Sequence, residues 1–164
     1  MKQEMVERLN AQAVLLNRAK YSEKQISEVK KFLKRESIYR VFKSMLSFLI
    51  PDKTDIRLNL NIGGGSYTDG KTVTVGLPEI FIGRSEAEMY SALKALLGHE
   101  TQHVNSSDFK AFVRFQKDIG KLFHKKYQIP PIYGEKIGKH IFNSVEDGRI
   151  EKILCNRLPG YKKH

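Results

Sequence analysis

Ser85-Glu86-Ala87-Glu88-Met89-Tyr90-Ser91-Ala92-Leu93-Lys94-Ala95-Leu96-Leu97-Gly98-His99-Glu100-Thr101-Gln102-His103-Val104 is the stretch around which the chain can be read. Ser85 and Glu88 stand as S-x-x-E, the pattern in which hydroxyl and carboxylate each take a backbone N–H at a helix start. Met89, Ala92, Leu93, Leu96, Leu97 and Val104 then recur three and four residues apart, so the spacing predicts a helix over 85–104. At ~100° per residue these side chains and Ala95 share one arc with His99, Glu100 and His103, while Lys94, Gly98, Thr101 and Gln102 fall outside it. Two imidazoles four residues apart are stacked about one turn from each other and can reach a single Zn²⁺ at ~2.0–2.1 Å, with Glu100 beside the water such an ion carries. Three ionisable groups on an apolar face are costly unless they pair or coordinate a metal. The competing reading is a pair of hydrogen-bonded core histidines with a salt-bridged glutamate.

Two histidines do not complete a zinc site. A metzincin arrangement would need Gly at 106 and His at 109, where the chain has Ser106 and Phe109. The alternative is a carboxylate from a later helix, and the segment after Pro130-Pro131 offers one between Ile137 and Leu154. On a wheel, Ile137, Ile141, Phe142, Val145, Ile150, Ile153 and Leu154 define an arc read as buried; Glu146 and Arg149 lie within it, and His140, Asp147 and Glu151 lie opposite. Glu146 is therefore the expected third ligand, with Asp147 as the alternative ligand or as a group that supports the ligands from behind. His124, His140 and His164 are weaker candidates, and Cys155 reads as a small buried residue.

Towards the N-terminus, Ser22 and Gln25 form a second capping pattern, followed by one run from Ile26 to Leu49 that Pro51 stops. An earlier helix through Val6, Leu9, Ala13 and Leu16 is expected to pack on it. Ile56–Ile62 and Thr72–Val75 alternate with period two around Gly63-Gly64-Gly65 and Asp69-Gly70, which reads as a strand pair with a glycine-rich connection. No Gly-Lys-Ser/Thr follows the glycines, so they are read as a loop and not a phosphate cradle. Thr72–Val75 could offer an edge along which an extended peptide lies. The expected organisation is one α+β, mostly helical domain over 1–164: N-terminal helices over 1–50, a small sheet over 55–77 preceding the metal helix over 85–104, a helix over 107–127 and the third-ligand helix over 134–155.

With 40% hydrophobic and 29% charged residues in 164, the chain is too apolar for a disordered protein and suits a single core. No uncharged run approaches the ~20 residues of a membrane span and no signal-peptide pattern opens the chain, so no membrane association is expected. One cysteine rules out an intrachain disulfide or a cysteine-rich zinc site, and a cytoplasmic location is expected. The net charge of +11 is carried by the flanks: residues 1–50 have 11 basic and 5 acidic side chains, residues 51–100 have 5 and 7, and residues 101–164 have 13 and 6. Such a surface attracts polyanions, but basic residues are not interleaved with aromatics, so nucleic-acid binding is not favoured as the main role.

Tyr67-Thr68-Asp69-Gly70-Lys71, the His99–His103 pentad followed by Ser107-Asp108-Phe109, and Asn143-Ser144-Val145-Glu146-Asp147-Gly148-Arg149-Ile150-Glu151 together resemble a known group. It is the gluzincin-like metallopeptidases of phages and bacteria that accompany von Willebrand factor A-type domains, including relatives of the CobT-like cobaltochelatase subunit. The likeness spans about residues 55–162. It implies a zincin fold with an edge strand above the metal helix, His99, His103 and Glu146 on Zn²⁺, Glu100 as general base, and a VWA-type domain or partner. The expected activity is hydrolysis of a peptide or protein substrate, in which Glu100 takes a proton from water and passes it to the leaving amine. Tyr133, Tyr161 and Arg149 are unranked candidates for the oxyanion donor. The alternative is a non-catalytic, zinc-stabilised basic binding or scaffold protein, a role in which polyanions are one class of ligand.

Overall fold

The computed structural model describes residues 20–52 and 55–158. The expected helix through Val6, Leu9, Ala13 and Leu16 lies outside these residues.

Helix α1 (Glu23–Leu33) opens on Ser22 with both bonds of the capping box and buries Val29, Phe32 and Leu33. The run to Leu49 is two helices and not one, because the chain turns at Lys34 and at Arg35, whose ψ of 128° is extended, before α2 (Glu36–Leu49). In a straight helix the buried set of α1 would sit about a third of a turn from Phe42 and Leu46, the buried set of α2. The break turns both sets into one core. Arg35 is held at the break by a bidentate bond to Glu86, at 2.7 and 2.6 Å.

Strands β1 (Arg57–Ile62), β2 (Tyr67–Thr68) and β3 (Thr72–Leu77) form a sheet in the order β1-β3-β2. β1 and β3 are parallel, with Leu58 opposite Val73 and Leu60 opposite Val75, and β2 runs antiparallel along the far side of β3. Two expectations change here. The glycine-rich connection contains a strand of its own, and Thr72–Val75 is the centre of the sheet, so it cannot serve as a free edge. Residues Val73 to Leu77 are all buried, as a central strand covered on both faces requires. To lay β2 beyond β3, the chain leaving β1 must pass across the end of β3. Gly63, Gly64 and Gly65 make that pass with φ of 67°, 74° and 75°, and Gly76 lies directly beneath it. A Cβ on Gly76 would stand 2.3 Å from the Gly65 carbonyl oxygen and 2.4 Å from that of Gly63.

After a short 3₁₀ turn (Glu79–Phe81), helix α3 (Glu86–Ser106) starts at Ser85 with the expected reciprocal cap. Phe42 and Tyr90 pack ring to ring at 5.1 Å, joining α2 to α3, and Leu93 and Leu97 are fully buried. Burial extends beyond the single arc read from the wheel, since Gly98, Thr101 and Gln102 are buried as well. The helix is enclosed by the sheet, by α2 and by the last helix of the chain. Thr101 meets its burial by donating to the Gly98 carbonyl at 2.9 Å, and Gln102 by donating to the Ser106 hydroxyl.

Helices α4 (Phe109–Tyr127) and α5 (Pro131–Arg157) form an antiparallel hairpin. Asp108 caps α4 through the N–H groups of Lys110 and Ala111, and Gln128 ends it in the left-handed region at φ 55°. Close approach rests on glycine: a Cβ on Gly134 would lie 2.8 Å from Gly120 Cα and 2.9 Å from the Ile119 oxygen. Farther along, Phe112 and Phe115 pack on Phe142. The arc expected to be buried on α5 is therefore wrong in part. Ile137, Ile141 and Val145 are 40%, 46% and 69% exposed, while Gly134, Gly138, Glu146, Ile150 and Leu154 are buried. The result is an α+β domain, mostly helical, in which a small sheet precedes the helix carrying the histidines. No helix among the described residues is long and apolar enough to cross a membrane.

Candidate metal centre

The last two turns of α3 present His99 and His103, their rings 5.0 Å apart and nearly perpendicular. From α5, Asp147 reaches between them: its Oδ1 is 3.1 Å from His103 Nε2 and 3.6 Å from His99 Nε2. His99, His103 and Asp147 each offer one donor atom, all within 4.8 Å of one another. Tetrahedral zinc with ~2.0–2.1 Å bonds sets its ligand atoms about 3.3 Å apart, so the two measured separations bracket the zinc value. Two imidazole nitrogens and a carboxylate oxygen are also the donor types zinc takes.

Glu146, the expected third ligand, is turned elsewhere. Its Oε1 accepts from Ser107 Oγ at 2.5 Å and from Arg149 Nη2 at 2.6 Å, and its Oε2 accepts from Arg149 Nε at 2.7 Å. The Arg149 hydrogen bonds, helped by that of Ser107, hold the Glu146 carboxyl below the usual range. Asp147, which the wheel put on the outer face of α5, is the carboxylate that meets the imidazoles. Three of the apolar residues that set the wheel, Ile137, Ile141 and Val145, face outward, and the closest approach to α4 is made at glycines that carry no hydropathy signal. Glu151, one turn beyond Asp147, comes to 3.8 Å from His99 Nδ1.

Glu100 is 5% exposed, and burial, aided by the like charge of Asp147, pushes its carboxyl up to about 7. Burial also pushes His103 down, with His99 acting in the same direction against the pull of Asp147. Both shifts favour neutral forms, the usual effect of removing a charge from water.

These groups lie on one wall of a cleft of about 410 Å³ whose rim is Ser66, Tyr67 and Thr68 and whose apolar side is Phe109, Phe112 and Phe142. The edge strand beside α3 is thus β2. Of the oxyanion candidates, Arg149 is engaged by Glu146 and the Ser106 carbonyl. Tyr133 precedes Asp147 by fourteen residues of helix, about 21 Å along the axis. Tyr161, like His164, lies outside the described residues. His124 bonds the Ile129 carbonyl at 3.2 Å, His140 is exposed, and Cys155 is only half-buried; none joins the group.

Sequence reasoning missed Ser107, whose hydroxyl lies 2.9 Å from His103 Nδ1. Its signal was a hydroxyl residue four positions after a histidine at the end of its helix, a weak pattern without knowledge of what stood opposite. No family model, no curated protein and no solved structure matches the chain.

Proposed function

We propose that the chain is a zincin-like, zinc-dependent peptidase in which His99, His103 and Asp147 hold the ion and Glu100 is the general base. The reading rests on one observation: two imidazole nitrogens and a carboxylate oxygen converge beside a buried carboxyl group, on the wall of an open cleft. Zinc bound there would supply Lewis acidity, polarising a carbonyl and acidifying water. Glu100 supplies the proton transfer. In the metal-free chain burial raises this carboxyl from 4.5 to about 7, towards the range in which a group can accept a proton from water and return it to a leaving amine. The short β2 edge at Tyr67–Thr68 offers backbone groups to an extended peptide, and the three phenylalanines offer an apolar wall for one of its side chains.

The experiment is zinc analysis of the purified protein together with hydrolysis of an unstructured peptide library by wild type and Glu100→Gln. The expected result is about one zinc per chain in both and a loss of at least ~10²-fold in turnover for the variant. Full zinc occupancy with no cleavage by wild type would replace the peptidase with the non-catalytic, zinc-stabilised binding protein.

One observation favours a polyanion as a ligand in that second case. On α4, Lys110, Arg114, Lys117, Lys121 and Lys125 are exposed and fall within an arc of about 80°, opposite the face packed on α5. Binding of single-stranded nucleic acid that weakens steeply with salt would support it, and salt-independent binding would refute it.

A further inference from the structure

Arg149, Glu146, Ser107 and His103 form a chain of hydrogen bonds in which every proton can be placed. A guanidinium only donates. Arg149 gives two N–H groups to the two oxygens of Glu146 at 2.7 and 2.6 Å, and its Nη2 also reaches the Ser106 carbonyl at 2.7 Å. Glu146 held in this way is a carboxylate and has no proton of its own to offer. The 2.5 Å contact between Ser107 Oγ and Glu146 Oε1 must therefore use the serine hydroxyl proton. Ser107 Oγ is left with lone pairs alone, and the atom it faces at 2.9 Å, His103 Nδ1, has to carry the hydrogen. The other tautomer would let Nε2–H donate to the more exposed Asp147 at 3.1 Å, but with Nδ1 bare the single Ser107 proton would have to serve both neighbours, leaving the 2.5 Å or the 2.9 Å contact beside the buried Glu146 without a hydrogen.

We infer that Ser107 and Glu146, anchored by Arg149, lock His103 in its Nδ1–H tautomer and so reserve the Nε2 lone pair for the metal centre. Glu146 is thereby a positioning residue and not a ligand. The tautomer is argued from the two shorter and more buried of these contacts; its use in metal binding rests on the peptidase reading above.

Two further features fit the assignment. Glu146 is 8% exposed, so water has little access to scramble the chain of bonds. Ser107 is the C-cap of α3 and donates its backbone N–H to the His103 carbonyl at 2.9 Å, which ties the serine to the histidine whose ring it orients. Once Nδ1 carries the proton, His103 Nε2 and Asp147 Oδ1 face each other at 3.1 Å as two acceptors. With His103 neutral that contact is repulsive until a metal cation comes between the two atoms or a second proton binds the ring. Among the described residues His99 has no such device, its Nδ1 being 3.8 Å from the exposed Glu151. The imidazoles are thus unequal: one is preset, and the other adapts.

The test uses the full-length, metal-free chain labelled with ¹⁵N-histidine, at a pH well above the imidazole range. Long-range ¹H–¹⁵N spectra of wild type should show His103 with a protonated Nδ1 and a bare Nε2. Ser107→Ala should lose that preference, and Ser107→Thr, which keeps the hydroxyl, should restore it. In zinc titrations Ser107→Ala and Glu146→Ala should each weaken binding by about 10–100-fold, the usual cost of removing such a supporting group. The double variant should lose no more than either single one, since all act through one chain of bonds. Should Glu146→Ala fail to fold, Glu146→Gln serves in the same cycle. An Nε2–H tautomer in wild type, or a tautomer unchanged by Ser107→Ala, overturns the proposal. Additive losses, with zinc stoichiometry falling only when Glu146 is changed, overturn it in favour of Glu146 as a direct ligand. If no zinc binds yet the tautomer follows Ser107 as described, the relay stands and the metal reading falls.

Discussion

Replacing Glu100 by glutamine in the metal-free protein should make it more stable, and only above a defined pH. The Glu100 carboxyl is 5% exposed, and burial with the nearby Asp147 charge raises it from 4.5 to about 7. Below about pH 4.5 the group is protonated in both folded and unfolded chains and contributes no pH-dependent difference. As pH rises further the unfolded chain releases the proton while the folded chain retains it, so stability falls until pH passes about 7 and then levels off. The gap between 4.5 and about 7 corresponds to about 3 kcal/mol. Glutamine has the same shape and no charge to desolvate. Urea unfolding in the presence of a chelator, repeated from pH 4 to pH 8 (roughly the window these values set), should give curves that coincide at the acid end. At the alkaline end they should differ by about 3 kcal/mol, or roughly 10 °C in melting temperature. A difference independent of pH would mean that Glu100 is not held neutral by its surroundings, and with it would fall the argument that this carboxyl is poised as a base.

Two glycines of α5 should respond to alanine with opposite signs. Gly148 has nothing within 4 Å of its would-be Cβ, so Gly148→Ala should gain up to ~1 kcal/mol from helix propensity, whereas Gly134→Ala, meeting Gly120 Cα at 2.8 Å, should lose ~1–3 kcal/mol in thermal unfolding. At the candidate centre, Asp147→Ala should abolish stoichiometric zinc as fully as His99→Ala or His103→Ala, as measured by metal analysis after gel filtration; retention of zinc would refute Asp147 as a ligand.

The parts of this fold that announce themselves in sequence are those whose signal is local. Ser22 with Gln25 and Ser85 with Glu88 specify helix starts through their own side chains, and both caps form as read. His99, Glu100 and His103 come together because helical pitch alone brings them together. The break at Lys34–Arg35 was not legible, since it serves two buried faces whose relative angle only the tertiary core defines. Nor was the order of the sheet, because alternation along Thr72–Val75 says nothing about which strands lie on either side. That Asp147, and not Glu146, is turned to the imidazoles was hidden for a related reason. Hydropathy marks a helix face by its large apolar residues, yet α5 turns several of these outward and packs through Gly134 and Gly138. A face made of glycine is silent on a wheel.

The passage of the chain over Gly76 also bears on the order of assembly. β2 and β3 are joined through Asp69, whose Oδ1 accepts from the backbone N–H groups of Lys71 and Thr72 at 2.8 and 2.7 Å, so their pairing closes a loop of only a few residues. Pairing β1 with β3 links residues fifteen apart in sequence and lays the segment from Gly63 to Gly65 across the end of β3. Loop-closure cost therefore favours the hairpin first and β1 last. The rim of the cleft belongs to the early unit and the crossing to the late one. Crowding at Gly76 would thus be felt as a slow final docking of β1, on a hairpin whose edge had already formed.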